Sequence, residues 1–325
     1  MQPSETVFKG VVMMIKLLVD NKEVLKENPI VLEDLANELG IEAYCATVDN
    51  RLRELTYQVS KDAEITIECN PKTAEQKDFE DYLASGINRL SIGLQSTHER
   101  ILKTLGRIHS LSDFEKCLSD AKKAGFKNIS ADLMFALPDQ SIEDFKETLE
   151  KVVTYDLNHI SCYGLKIEEG TPFYNMELNL PDEEEEAKMY ETALEVLEIN
   201  GYLRYEISNF AKKGYECRHN IKYWTGEEYI GFGLAAASYM DSYRYTNTDD
   251  IARYIAGTRA EEKEYIDEEE RLKERFLLGL RMSRGVEYKG EFPEVIERLT
   301  AEGLLCEENG FVRLTEKGFD LGNLV

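Results

Sequence analysis

The alternation of strand-like and helical segments from about residue 61 restricts the possible folds more than any other feature of this chain. The strand-like runs are 64–69, 89–94, 128–134 and 159–165, and helices are predicted at 75–85, 112–124 and 141–155. This spacing is typical of βαβ units, whose parallel sheet closes into a barrel or stays open. We therefore expect an α/β fold built around a partial TIM-like (β/α) barrel.

Four residues fall at the ends of the predicted strands, where a parallel barrel has its catalytic mouth. They are Glu68, Gln95, Asp132 and Leu165. The three polar side chains have two interpretations. They either bind a ligand at the mouth or are strand-end groups that neighbouring backbone satisfies, and the strand pattern alone leaves both open.

The C-terminal tail differs in kind from the strand–helix repeats. Helices are predicted at 269–281 and 293–299, and Asn309-Gly310 is a strong hairpin turn before 311–315. Helix, helix and hairpin in this order predict a small winged-helix-like α+β domain. Such domains often bind DNA, but the surroundings of this second helix are acidic, which favours a structural or protein-contact role.

The charge of the chain excludes two classes of partner. The formal net charge is −24, whereas nucleic acids and anionic membranes attract clustered Lys and Arg. No run approaches the roughly 18 to 20 apolar residues of a membrane span, and the N-terminus does not have the pattern of a signal peptide. We expect a cytoplasmic protein with no nucleic-acid partner and no membrane span.

One short stretch, Arg218–Trp224, has an unusual composition. It contains the only Trp of the chain and one of its four His. A His ring nitrogen can ligate a metal, and Tyr and Trp offer flat apolar faces. These residues suit a pocket for a flat iron-bearing macrocycle, but composition alone favours a buried His beside two core aromatics.

From Glu64 to the C-terminus, about four-fifths of its length, the chain resembles the radical S-adenosylmethionine (SAM) family of oxygen-independent coproporphyrinogen III oxidases. Within that family it is most similar to the heme-chaperone branch, which the His-Asn-x-x-Tyr-Trp signature at 219–224 separates from the true oxidases. The matching motifs are long and in order, unlike a lone short motif. They lie at 65–71, 90–96, 105–109, 132–140, 167–173, 205–211 and 219–224.

The resemblance implies a SAM site at the strand ends. Arg107 would bind the SAM carboxylate, a role that suits a planar guanidinium. Asp132 and Gln95 would accept or donate hydrogen bonds at the ribose hydroxyls, and Glu68 would line the same site. The alternative is that Arg107 forms a surface ion pair and the other three are ordinary strand-end polar groups.

The resemblance also implies a heme site, and it reverses the interpretation that composition gave. His219 would be the ligand of the heme iron, and Tyr223 and Trp224 would form the wall of the pocket. The partners implied are heme and a heme-accepting protein.

Two departures from the family pattern affect the chemistry. The family binds a [4Fe–4S] cluster through CxxxCxxC, but the six cysteines here stand at 45, 69, 117, 162, 217 and 306, and the Gly-Gly-Gly-Thr-Pro loop that follows the motif is absent. The family's Gly-Ala-His-Ser segment reads Ala-Ala-Ala-Ser at 235–238. We therefore expect no cluster and name no catalytic residue.

The sequence predicts three parts and one leading function. A divergent helical segment at 1–60 replaces the cluster-binding part, 61–265 form the partial barrel of the radical SAM type, and 266–325 form the winged-helix-like domain. The expected function is heme binding and delivery without radical chemistry. A radical SAM oxidoreductase, if a cluster motif lies upstream, and a non-catalytic barrel for protein interactions remain the alternatives, so whether the chain is an enzyme stays open.

Overall fold

The computed structural model describes residues 60–255 and 263–321. The predicted segment 1–60 lies outside the described residues, except for Ser60. The described chain divides into two compact units. The larger comprises 66–79, 88–227 and 268–321, and the smaller comprises 60–65, 80–87, 228–255 and 263–267.

The larger unit contains a six-stranded sheet in the order β1-β2-β3-β4-β6-β5. Strands β1 to β4 are parallel, β6 is antiparallel to β4, and β5 is antiparallel to β6. The predicted parallel sheet is therefore confirmed for the first four strands. The strands are β1 (Thr66–Cys69), β2 (Arg89–Gln95), β3 (Ile129–Phe135), β4 (His159–Gly164), β5 (Leu203–Glu206) and β6 (Asn209–Ala211).

Helices connect and follow these strands in the larger unit, and the residues of α1 are divided between the larger and the smaller unit. They are α1 (Gln76–Ala84), α2 (Glu99–Thr104), α3 (Leu111–Ala124), α4 (Ile142–Val153), α5 (Glu183–Ile199) and α6 (Arg218–Trp224), with a 3-10 turn at Pro172–Asn175 between α4 and α5. The sequence did not predict α2, α6 or the short strands β5 and β6.

Burial and capping explain why these segments form where they do. All seven residues of β2 are buried, as expected for a strand inside a parallel sheet with both faces covered. Helix α3 begins at a capping box, in which the Ser110 side chain accepts from the Asp113 N–H while the Asp113 carboxylate accepts from the Ser110 N–H. It ends at Gly125, whose φ of 117° suits glycine.

A β-bulge interrupts the pairing of β5 with β6. Arg204 pairs with Phe210 and Glu206 pairs with Asn209, so Tyr205 is one residue extra on β5. Bulges re-aim side chains that a regular strand would alternate between its two faces. This bulge sets the directions of Tyr205 and Glu206.

The smaller unit contains an antiparallel sheet of β7 (Ala237–Met240), β8 (Tyr243–Thr246) and β9 (Lys263–Tyr265), with helix α7 (Ile251–Ile255) between β8 and β9. The segment that differs from the family pattern, 235–238, leads into β7. There the backbone passes so close to Gly231 that a Cβ on this glycine would lie 2.0 Å from the Ala237 carbonyl oxygen. Among the described residues, no helix is long and apolar enough to cross a bilayer.

The C-terminal part of the larger unit has the predicted order of helix, helix and hairpin. Its helices are α8 (Glu268–Gly279), α9 (Pro293–Ala301) and α10 (Glu316–Asp320), and its sheet has the order β10 (Val286–Glu287), β12 (Phe311–Leu314) and β11 (Leu305–Glu308). Its buried apolar core includes Phe276, Val312 and Leu314.

Strand β5 holds this C-terminal part through Arg204. The guanidinium lies 3.0 and 2.9 Å from the two carboxylate oxygens of Glu316 and 3.9 Å from the ring centre of Phe319. The Arg204 side chain is only 6% exposed. The neighbouring Ser283 donates from its hydroxyl to the Arg204 carbonyl at 2.8 Å and from its N–H to the Tyr205 carbonyl at 3.0 Å.

Candidate functional site

The predicted SAM-site residues lie on neighbouring strands of the six-stranded sheet. Gln95 is the last residue of β2 and is buried, with a φ of 69°. Glu68 is exposed near the end of β1, and Arg107 follows α2. Asp132 differs from its predicted place: it lies in the middle of β3 rather than at the end, because β3 continues to Phe135.

Two serines hold the Asp132 carboxylate. The Ser91 hydroxyl donates to its two oxygens at 3.0 and 3.1 Å. Burial raises the pKa of Asp132, and the hydrogen bonds from the Ser161 and Ser91 side chains oppose that rise. Since the side chain retains partial exposure, Asp132 is an oriented acceptor that a ligand can reach.

Tyr163 links the predicted residues electrostatically. Its hydroxyl donates to Gln95 Oε1 at 3.3 Å. Burial raises the pKa of Tyr163 to about 12, with smaller contributions from the charges of Asp132 and Glu68, while Arg107 acts in the opposite direction. The geometry links three of the predicted residues: Glu68 pairs with Ser91, Ser91 donates to Asp132, and Tyr163 donates to Gln95.

Gly93 lies beside the side chains of Gln95 and Asn70. Gly93 pairs with Asp132 across β2 and β3. A Cβ on Gly93 would lie 2.9 Å from Gln95 Nε2 and 3.3 Å from Asn70 Oδ1. The same Asn70 oxygen accepts from Arg107 Nη1 at 3.4 Å. Asn70 and Gly93 therefore place the amide of Gln95 and the guanidinium of Arg107 beside each other.

Sequence reasoning missed Tyr163, Ser91 and Asn70. A signal existed for Tyr163, because strand alternation puts Ser161 and Tyr163 on one face of β4. The register that pairs Asp132 with Ser161 comes from the three-dimensional pairing of β3 with β4, which the sequence alone does not contain.

His219 lies on the short helix α6, in the larger unit. Its ring and that of Tyr223 are 4.9 Å apart at an interplanar angle of 81°, an edge-to-face contact. Both side chains are exposed. Composition alone predicted a buried His, and that prediction is wrong.

Trp224 lies apart from the His219–Tyr223 pair. It follows His219 by five helical residues, which turns it to a different face of the helix. Its ring lies 5.6 Å from the Arg281 guanidinium, and its indole nitrogen is buried. The structure therefore places His219 with Tyr223 and directs Trp224 inward.

A buried hydrogen-bonded chain connects the sheet to the start of α6. The Ser130 hydroxyl contacts His159 Nδ1 at 2.7 Å, and the Tyr205 hydroxyl contacts His159 Nε2 at 2.9 Å. The Tyr205 oxygen also accepts from the Cys217 N–H at 3.2 Å. Burial lowers the pKa of His159 well below its ordinary value, so its ring is neutral.

The described cysteines do not fit an iron–sulfur cluster. Three thiolates must converge on such a cluster. Cys69 and Cys117 are neighbours, and their contact lowers the pKa of Cys69 and raises that of Cys117. In the part of the chain that the structure describes, no group of three or more His, Cys, Asp or Glu is arranged to hold a metal.

Comparison with known proteins identifies the family of the chain by sequence and its fold by structure. The model of the radical SAM superfamily matches residues 31–152, and that of the HemN C-terminal domain matches 266–321. The heme chaperone HemW of Bacillus subtilis is 36% identical over 283 residues, covering 81% of this chain and 75% of that protein. The chain belongs to the HemW family.

Further comparisons support this assignment. HemW of Escherichia coli is 34% identical over 80% of this chain and 73% of that protein. The solved structure described as coproporphyrinogen III oxidase (HemN) from Escherichia coli, a radical SAM enzyme, matches with a TM-score of 0.71 at 18% identity. That match covers 83% of this chain and 70% of the solved chain, and it confirms the partial barrel of the radical SAM type.

Proposed function

We propose that this HemW-family chain binds heme through His219 and delivers it to an accepting protein. The observation that carries the proposal is the exposed pair of His219 and Tyr223, on a helix whose first residues are tied to the buried sheet. An imidazole is a suitable ligand for iron, a side chain at the surface can be reached by a bulky macrocycle, and the adjacent tyrosine offers that macrocycle an aromatic surface.

The placement of His219 suits a cargo rather than a permanently enclosed group. Exposed side chains leave much of a bound macrocycle uncovered, so an acceptor can approach it. Delivery is tested by loading the protein with hemin and adding an apo-heme protein, with the Soret band of the acceptor as the signal. Hemin that stays on the donor at equilibrium would contradict delivery while leaving binding intact.

Binding itself is tested by hemin titration of the purified chain. His219→Ala is expected to abolish the Soret shift that the unmodified chain gives. His98→Ala is the matched control, because His98 is a partly exposed histidine whose ring is engaged by Asp144 and Glu147 on another helix. A Soret shift that survives in His219→Ala would remove the assignment.

We also propose that Glu68, Gln95, Arg107 and Asp132, which we call the sheet-edge site, bind SAM. Arg107 would bind the carboxylate of SAM, Asp132 and Gln95 would bind the ribose hydroxyls, and Glu68 would line the site. The support is the geometry: Ser91 donates to Asp132, Tyr163 donates to Gln95, and Arg107 donates to Asn70. SAM would supply a sulfonium centre when bound.

SAM binding is tested by calorimetric titration. Arg107→Ala is expected to weaken SAM binding about tenfold or more, because charge-assisted hydrogen bonds are the strong ones. Lys103→Ala removes a positive charge one turn away on α2 and serves as the control. Equal losses in the two variants would show that only the overall charge matters and would contradict the site.

A further inference from the structure

The described residues include a buried carboxylate that neither proposed site uses. Glu206, the last residue of β5, has no exposed surface. Its carboxylate accepts from the Asn209 side-chain amide and from the Ser208 N–H at 3.2 Å. A buried carboxylate is retained at a cost unless its neighbours stabilise it.

Two of the remaining neighbours of Glu206 belong to α6 and to the segment after α8. The Trp224 indole N–H is buried, and it makes no hydrogen bond of ordinary geometry within the described residues. Burial raises the pKa of Glu206, and the interactions of its carboxylate with Asn209, Ser208, Arg281 and Trp224 oppose that rise. Arg281 lies over the Trp224 ring at 5.6 Å, and the buried indole N–H of Trp224 is a donor for which Glu206 is an electrostatic neighbour.

The bulge at Tyr205 places two consecutive residues against opposite ends of the same helix. Tyr205 accepts from the N–H of Cys217, the residue that precedes α6. Glu206 interacts electrostatically with Trp224, the last residue of α6. In a regular strand, neighbouring side chains point to opposite faces, so the bulge is what allows both to serve one helix.

We propose that Tyr205 and Glu206 form a two-point clamp that positions the His219 helix, with Glu206 acting through Trp224 and Arg281 covering the ring. Glu206 is then a positioning residue, and Trp224 is an anchor rather than part of the heme wall. His219 lies between the two clamped ends, so its ring direction is fixed before any ligand arrives. The link to heme affinity rests on the proposed function, whereas the clamp itself does not.

The clamp also connects the helix to the C-terminal part of the unit. Glu206 forms an isolated antiparallel bridge with Met282, the residue after Arg281. A helix of seven residues has little stability alone, and its conformation depends on tertiary contacts. The two ends of α6 thus take their positions from β5 and from the chain beside Met282.

Fluorescence tests the clamp without heme, because Trp224 is the only Trp in the chain. Glu206→Ala is expected to move the emission of the apo-protein to longer wavelength and to increase its quenching by acrylamide. Glu206→Gln retains an acceptor oxygen and is expected to restore emission close to that of the unmodified chain. Glu227→Ala is the control, since Glu227 is an exposed carboxylate just beyond the same helix that contacts Lys222 and Thr225.

Hemin titration of the same variants tests the consequence for His219. Residues that orient a metal ligand typically change affinity by 10- to 100-fold, so we expect about a tenfold loss in Glu206→Ala and recovery in Glu206→Gln. If the unmodified chain binds no hemin, the proposed function fails, but the apo-protein fluorescence still decides the clamp.

Three results would overturn the clamp. They are unchanged emission in Glu206→Ala, an equal shift in Glu227→Ala, and a shift in Glu206→Gln as large as in Glu206→Ala. Should Glu206→Ala fail to fold, Arg281→Gln replaces it, because Arg281 is exposed and its loss leaves the core intact. Emission of Arg281→Gln identical to that of the unmodified chain would then contradict the proposal.

Discussion

The sheet-edge site and the His219 helix are built in opposite ways. The sheet-edge site gathers side chains that are far apart in sequence. Gln95 is buried and Asp132 is half-buried on neighbouring strands, whereas Glu68 is exposed on β1 and Arg107 follows α2. The His219 helix takes its candidate ligand and aromatic from one seven-residue segment and exposes both. Strand register determines the positions of the residues in the first site. Contacts of a short surface helix with Tyr205 and Arg281 determine those in the second.

This difference shows how one fold can support two kinds of binding. Groups held on central strands move little and suit a ligand that must keep one orientation. A ligand on an exposed helix is open to solvent and to other proteins, and its precision must come from the residues beneath it. The two sites should therefore respond separately to substitution, except where they share a foundation.

His159 contacts the hydroxyls of Ser130 on β3 and Tyr205 on β5, and its removal should have the largest effect on stability. His159→Ala leaves the Ser130 and Tyr205 hydroxyls without their partner and opens a cavity, so the free energy of unfolding should fall by about 3 kcal/mol. Urea unfolding measures the change, with His98→Ala as control. A loss below about 1 kcal/mol would show that the hydrogen bonds from Ser130 through His159 and Tyr205 to Cys217 contribute little to stability.

Asp132 should separate the two sites most clearly. Asp132→Ala removes the half-buried acceptor that Ser91 and Ser161 orient. A charged hydrogen bond contributes roughly 1.5–3 kcal/mol, so SAM affinity should fall about 10- to 100-fold while hemin affinity stays unchanged. Calorimetry and Soret titration measure the two affinities. Equal losses of SAM affinity and hemin affinity would contradict the claim that the two sites respond separately to substitution.

A pH titration should give a smaller effect with a defined sign. Because burial raises the pKa of Asp132, the carboxylate takes up its proton at a higher pH than an ordinary Asp. Its ionised form accepts from the ribose, so SAM affinity should fall as pH drops through this raised pKa, by at most about tenfold per pH unit. Asp132→Asn should remove this dependence. A dependence that persists in Asp132→Asn would assign it to another group.

Ser110 should give the smallest effect and none on binding. Ser110→Ala removes one half of the capping box of α3, which should cost about 1 kcal/mol of unfolding free energy. Urea unfolding detects this loss. Changes in SAM or hemin affinity would mean that the sheet-edge site depends on α3 more than its contacts indicate.

The sequence was sufficient for the parallel part of the fold. Strands such as β2 are apolar at nearly every second position, and neighbouring helices such as α3 have clear caps. The bounds of these strands were therefore predicted within about two residues. Strands β5 and β6 are only four and three residues long, and pairing with β4 defines them. Local pattern carries little information on such short elements.

The assignment of residues to the two sites stays a prediction, and parts of their geometry depend on contacts that the sequence alone does not contain. The motifs placed Glu68, Gln95, Arg107 and Asp132 in one group, and the structure links Asp132 to Ser91 and Gln95 to Tyr163. The ring of Trp224 is covered by Arg281, which lies 57 residues after it, and no local pattern contains such a contact. Long-range packing decided what local sequence could not.

Arg204 has a mechanical consequence. Its guanidinium connects β5, the outermost strand of the sheet, to α10, the last described helix. It lies over the ring of Phe319 and donates hydrogen bonds to both carboxylate oxygens of Glu316. Helix α10 is also held by the buried ring of Phe319 and by Lys317, which donates to the Glu302 carbonyl at 2.8 Å. A pulling force applied at α10 would act on these contacts and on those of Arg204 together. In a force-extension experiment, α10 is therefore expected to peel away as an early step, with the sheet yielding only later.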